Sequence, residues 1–110
     1  MIDWTRISVL RAEIGEEDLH EVIGLFLEET DAVICRLDAG VAAVELESLL
    51  HFLKGSALNL GLSDLAQVCQ DGERRAARGD GDNVDLEQVI DLYCASRTRF
   101  MEGLTQHLAA

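Results

Sequence analysis

VELESLLHFLKGSALNLGL, Val44 to Leu62, is the stretch that decides the fold. On an α-helix of 3.6 residues per turn, Leu46, Leu49, Leu50, Leu53, Ala57 and Leu60 share one broad side. That is the apolar stripe of a helix packed into a bundle. His51 falls on the opposite side. Its neighbours there, three and four residues distant, are Glu47, Ser48, Lys54 and Gly55, with Val44 and Leu58 a turn further. The pattern holds an imidazole out to solvent, sets an ammonium group one turn on, and leaves bare backbone beside them. A glycine inside a helix costs roughly 0.5–1 kcal/mol relative to alanine. Nothing local needs it, so Gly55 makes sense if something must come very close to His51.

The flanking sequence supplies a scaffold for that helix. Asp3 is placed to cap a short helix through Trp4, Ile7, Leu10 and Ile14, which Gly15 ends. From about Glu16 to Leu37, the residues Leu19, Val22, Ile23, Phe26, Val33, Ile34 and Leu37 repeat at helical spacing, with Thr30 in the one polar gap. Leu25 and Leu27 sit at the edges of this stripe, as boundary packing or as part of a docking surface. Glu16, Glu17 and Asp18 occupy the first turn, where the helix dipole favours negative charge.

Ala39-Gly40 breaks the chain before the His51 helix, which closes near Leu60-Gly61. Ser63 is placed to cap a fourth helix carrying Leu65, Val68, Cys69 and Ala76, weakened or bent at Gly72. Arg74, Arg75 and Arg78 fall at its end, where a dipole-complementing role is favoured over a binding patch. RGDGDN (Arg78 to Asn83) reads as a turn. A last helix from about Val84 to Leu108 aligns Leu86, Val89, Ile90, Tyr93, Phe100, Met101 and Leu104. The expected fold is all-α: one domain over residues 1–110, an antiparallel four-helix bundle with a short additional N-terminal helix.

Composition narrows the function. With 21 acidic and 9 basic side chains the net charge is −12, which argues against nucleic acid and for protein partners. No apolar run approaches the roughly 20 residues of a membrane span, and the N-terminus lacks a signal-peptide pattern. The expected location is the cytoplasm. Cys35, Cys69 and Cys94 are odd in number, show no CxxC spacing and sit among apolar residues. They are expected as small core fillers rather than a disulfide framework or zinc site. His20 and His107 have no motif around them, and the histidines lack metal-ligand spacing.

HFLKGSALNLG, from His51 to Gly61, resembles the signature of the histidine-containing phosphotransfer (HPt) domain, H-x-x-K-G-S/A. The resemblance continues through LSDLAQVCQDGERRAARGD and, with the helix order, covers essentially the whole chain. It implies a phosphorelay intermediate. His51 would accept a phosphoryl group from the aspartyl phosphate of a response-regulator receiver domain and pass it to another receiver. Lys54 matches the family lysine and would offset phosphoryl charge. Gly55 matches the family glycine and would admit the receiver's loops, while Ser56 and Asn59 match commonly polar positions. Gly72 departs from the family, which usually has a large apolar residue there.

The implied partners are receivers and a hybrid histidine kinase. The receiver would bring Mg²⁺, so no cofactor is expected on this chain, and such domains are commonly monomers. The residue pattern adds Val44, Ser48 and Leu58 as expected partner contacts, although Val44 near the helix start could equally be buried against the chain itself. A histidine kinase would need glycine-rich ATP-binding segments, which are absent, so a carrier is expected and not an enzyme. Two alternatives stay open. One is a non-phosphorylated helical adaptor, against which the outward His, Lys and Gly argue. The other is the phosphoacceptor domain of a chemotaxis-type kinase, over which the chain's ending soon after its last helix favours a free-standing carrier.

Overall fold

The computed structural model of the protein describes residues 2–109, with side chains from Ile2 to His107. Five α-helices follow one another: α1 (Trp4–Ile14), α2 (Glu16–Ala39), α3 (Ala43–Leu60), α4 (Ser63–Ala77) and α5 (Leu86–Ala109). A 3₁₀ turn, Gly81–Asn83, precedes α5. The only strand-like pairing among the described residues is an isolated antiparallel bridge between Ile2 and Leu62. None of the described helices is long and apolar enough to cross a membrane.

The apolar stripes meet in one core. Ile7, Leu19, Leu50, Leu53, Leu60, Leu65, Cys69, Val89 and Phe100 are essentially inaccessible, so each of the five helices contributes to it. Burying a side chain of this size is worth about 1.5–3 kcal/mol. Of the helix pairs, α3 and α4 lie closest along their length. Small buried residues on α4, namely Ala66, Cys69 and Gly72, allow that approach. A Cβ on Gly72 would stand 3.0 Å from Leu50 Cδ1 and 3.2 Å from Val84 Cγ1. Gly72 therefore leaves α4 unbroken and serves as a packing surface, not as the weak point expected.

The turn between α3 and α4 is fixed from two directions. Gly61 adopts a left-handed conformation (φ 76°, ψ 20°), and Leu62 N–H donates back to the Ala57 carbonyl at 2.8 Å. This closes the helix with a Schellman-type bond. From outside, Asp3 N–H donates to the Gly61 carbonyl at 2.7 Å. The α4 N-cap is Leu62, with no side-chain cap, and Ser63 is already helical. The expected serine cap is replaced by this backbone clamp.

Two further contacts lock the bundle. Trp4 stacks on Phe100 (centroids 5.6 Å apart) and on His107 (4.1 Å), which pins α1 over the end of α5. On the α2–α5 seam, Arg97 grips Asp31 with two bonds of 3.0 Å. Tyr93 donates its hydroxyl to the same carboxylate, and its oxygen lies 2.9 Å from Thr30 Oγ1. Thr30 also donates to the Phe26 carbonyl at 2.8 Å, so the polar gap in the α2 stripe is satisfied locally. Burial, with the Asp31 carboxylate adding to it, pushes the Tyr93 hydroxyl up to about 12.

Several boundaries and faces depart from the sequence expectation. Helix α2 runs two residues beyond Leu37, and α5 begins at Leu86 rather than Val84, with Asp85 Oδ1 accepting from Gln88 N–H at 3.0 Å. Cys69 is buried, but Cys35 and Cys94 are exposed and fill no core space. Met101 is 43% exposed, although it follows fully buried Phe100. At the edges of the α2 stripe, Leu27 turns inward and Leu25 outward.

Candidate functional site

Helix α3 presents the site and α4 backs it. Because Leu46, Leu49, Leu50, Leu53, Ala57 and Leu60 are all buried, the opposite side of α3 must face outward. The His51 side chain is accordingly 68% exposed. Its Nδ1 lies 2.8 Å from Glu73 Oε1 on α4. On the other oxygen of the same carboxylate, Lys54 Nζ stands 2.9 Å from Oε2. That contact is an ion pair by distance, with the ammonium off the hydrogen-bonding directions of the oxygen. Glu73 is thus shared by an imidazole and an ammonium group one helical turn apart.

Burial alone would raise the Glu73 carboxyl, but the adjacent Lys54 ammonium and then the His51 ring outweigh it and hold it below the ordinary carboxylate value. Glu73 is therefore ionised at neutral pH and can only accept. The 2.8 Å contact assigns the ring proton to Nδ1 and leaves the lone pair on Nε2, the nitrogen turned away from α4. Beneath the cluster, burial pushes the Cys69 thiol up to about 12, with Glu73 adding to the rise and Lys54 opposing it. Cys69 stays neutral and packs as a small apolar group.

The residues expected around His51 fall as follows. Val44 is 85% and Leu58 57% exposed, so the choice left open for Val44 resolves to the outward side. Ser48 is exposed between Val44 and His51, and Val44, Glu47, Ser48, His51 and Glu73 line a shallow groove. A Cβ on Gly55 would meet no atom within 4 Å, so internal packing does not require glycine there. Lys54 is only 22% exposed and tied to Glu73, not freely solvated. Ser56 is buried, and Asn59 accepts from Arg6 Nη2 at 3.2 Å, joining α1 to α3.

Away from the site, Arg75 pairs with Asp80 at 3.4 Å at the end of α4. His20 is exposed, and His107 is engaged with Trp4. No group of three or more His, Cys, Asp or Glu residues among those described is placed to hold a metal ion.

Glu73 does not stand out in any motif of the sequence. A signal was present: Ala66, Cys69, Glu73 and Ala76 follow 3-4-3 spacing, so an acid occupies an inward-facing position of α4. An acid in that series needs a cationic or proton-donating partner on the facing helix. Lys54 and His51 are those partners.

The structure is a helical bundle that holds on α3 an exposed histidine paired with a carboxylate and flanked by a lysine and an open glycine. The chain belongs to the Hpt domain family, whose model matches residues 21–99. It is also similar to the phosphorelay protein LuxU of Vibrio cholerae serotype O1, at 29% identity over 89 residues, covering 78% of this chain and 79% of that protein. No solved structure matches it.

Proposed function

We propose that the protein is a phosphoryl carrier in a phosphorelay, with His51 as the residue phosphorylated. The observation that carries this reading is the exposed ring whose Nδ1 is bonded to Glu73 and whose Nε2 is open. Membership in the Hpt family and similarity to a protein named for a phosphorelay support it.

The chemistry asks for little from this side. Phosphoryl transfer depends mainly on positioning and charge stabilisation. Nε2 attacks the phosphorus of a receiver's aspartyl phosphate, and the carboxylate leaves. Lys54, one helical turn from His51, offsets charge on the phosphoryl oxygens. Gly55 leaves room for the receiver's backbone, and Val44, Ser48 and Leu58 give that partner a mixed apolar and polar ridge. The receiver brings Mg²⁺, and the carrier takes no phosphoryl group from ATP by itself. The protein acts as a cytoplasmic monomer between receivers, the first of them possessed by a hybrid histidine kinase.

The test is transfer from a panel of phosphorylated receivers to wild type and His51→Gln, scoring acid-labile, base-stable label. Wild type should be labelled and the variant unlabelled. The variant should unfold within about 0.5 kcal/mol of wild type, since the exchange is at an exposed position. Label retained on His51→Gln would place the acceptor elsewhere. No label from any receiver in a complete panel would favour the non-phosphorylated adaptor.

A further inference from the structure

We infer that Arg74 and Arg78, on the flank of α4 next to the site, form a charge-reading patch for the partner that docks over His51. The patch captures a receiver with carboxylates on the side overhanging α4 and repels one with lysines there. This inference rests on the proposed carrier role and deepens it by naming a feature of the partner.

The sequence favours a dipole-complementing role for Arg74, Arg75 and Arg78 alike; the structure separates them. Arg75 Nη1 pairs with Asp80 Oδ2 at 3.4 Å. Arg74 and Arg78 are exposed. Among the described lysine and arginine side chains, only these two and Arg99 make no hydrogen bond or ion pair. The α4 dipole favours a cation near its last carbonyls, but it does not call for two that stand i, i+4 apart and repel each other.

Their place is beside the histidine. Arg74 follows Glu73, whose carboxylate touches His51, and a step of about 100° per residue turns it from the α3–α4 seam toward solvent. Arg78, at the C-cap, stands one turn on and about 40° further round. Arg74, Arg75 and Arg78 line a shallow hollow with Asp71 and Asp80, while Glu73 lines the groove at His51. Consecutive residues of α4 thus face the two hollows. Asp80 is held by Arg75 and Asn83, and Asp71 accepts from Gln67 at 3.3 Å, so neither carboxylate closes on Arg74 or Arg78.

A partner bringing an acyl phosphate brings negative charge to a chain of net charge −12. Glu47 and Glu73 line the groove it must enter, and Lys54 is already paired with Glu73. The two unpaired guanidiniums on the adjoining flank supply the local field that opposes this repulsion. A guanidinium binds a carboxylate through a planar fork of donors, so the patch sets where the partner's carboxylates lie as well as their sign. Charges on the rim of an interface act chiefly on association rate and its salt dependence.

The test measures the second-order rate of transfer from the fastest phosphorylated receiver of the panel, at low salt and at about 500 mM, where exposed charges are screened. Arg74→Glu/Arg78→Glu should be about tenfold slower than wild type at low salt, the lower end of what steering supplies, and the ratio should shrink toward one as salt rises. Arg99→Glu, on α5, changes net charge as much as Arg74→Glu does. It should stay within about 1.5-fold of wild type, while Arg74→Glu falls about threefold. Phosphoramidate, a small donor that phosphorylates imidazole without a receiver, should load every variant at a similar rate. Changing to Lys, one at a time, the Asp and Glu residues that flank the receiver's phosphorylated aspartate should reverse the order for those that overhang α4. An unaltered rate in the double variant, or equal losses for Arg74→Glu and Arg99→Glu, would overturn the inference. So would a loss that persists at high salt and appears equally with phosphoramidate, which is what damage to α4 predicts. Wild type that no receiver labels at any salt would sink the carrier reading itself, and this inference with it.

Discussion

Asp31, on the seam between α2 and α5, and Glu73, on the seam between α3 and α4, are both partly covered carboxylates that serve two side chains each. In both, burial opposes ionisation and neighbouring donors overcome it. Their partners differ in what is left over. Arg97 commits Nε and Nη2 to Asp31, and the Tyr93 hydroxyl is held between Asp31 and Thr30. That network ties two helices together. Glu73 instead takes one nitrogen of a ring that is 68% exposed and leaves the other free. On the proposed carrier reading, a shared carboxylate serves a reactive group, rather than a brace, when one partner has a second functional atom facing solvent.

Substitutions around His51 on α3 should therefore change transfer and spare the fold, and among these neighbours the largest effect should come from Gly55. Gly55→Leu places a bulky side chain where the structure offers open space. Stability should hold or rise by up to about 1 kcal/mol, because a helix glycine is lost. Transfer from a phosphorylated receiver should slow on the order of a hundredfold, as expected when reacting groups are held off by an ångström or more. Loading by phosphoramidate should be unaffected, since so small a donor needs no such clearance. Equal receiver-dependent rates in the variant and wild type would remove close approach as the purpose of this glycine.

Lys54→Ala should have a smaller effect, roughly a tenfold loss in receiver-dependent rate. That is below the 10²–10³ of a dedicated oxyanion donor, because the receiver's Mg²⁺ would carry most of the charge. Melting curves should show only a slight fall, reflecting a carboxylate that keeps one of its two partners. Rates that do not change would mean that Lys54 serves only to orient Glu73.

Much of this division is legible along the chain. Helical spacing at Leu46, Leu49, Leu50, Leu53, Ala57 and Leu60 fixes the inward side of α3, and the outward placement of His51, Val44, Ser48 and Leu58 follows from the same phase. What escapes is whatever depends on how one helix registers on another. Glu73 reads as one acid among 21 until α4 is laid against α3 and brings it within 2.8 Å of His51. Gly72 reads as a helix breaker, because propensity is local while its contacts with Leu50 and Val84 are not. Cys35 and Cys94 are flanked by apolar residues, yet each lies about one residue's rotation outside its buried stripe. Apolar neighbours in sequence are a weaker guide to burial than helical phase.

The brace on the α2–α5 seam supplies the opposite test, with the smallest expected effect. Asp31→Asn removes the negative charge that Arg97 grips and leaves the Tyr93 hydroxyl its Thr30 contact. Transfer should be unchanged. Stability at pH 7 should fall by about 1 kcal/mol, the upper end for ion pairs open to solvent, because the Asp31 side chain is 43% and Arg97 37% exposed. Burial would raise the Asp31 carboxyl, but bonds from Arg97 and Tyr93 and the Arg97 charge bring it below its ordinary value. A carboxylate depressed on folding contributes stability that is complete above the unfolded value, near pH 4, and is lost as pH falls through the folded one. The gap between wild type and Asp31→Asn in urea unfolding should therefore be constant from pH 7 to about pH 5 and close progressively below pH 4. Glu73 shares the same sign, but it is present in both proteins and cancels in the difference. A gap that persists undiminished at pH 2–3 would mean that Asp31 acts through shape and neutral hydrogen bonding. The contrast between a charge-held brace and a charge-oriented nucleophile would then fail on the side of the brace.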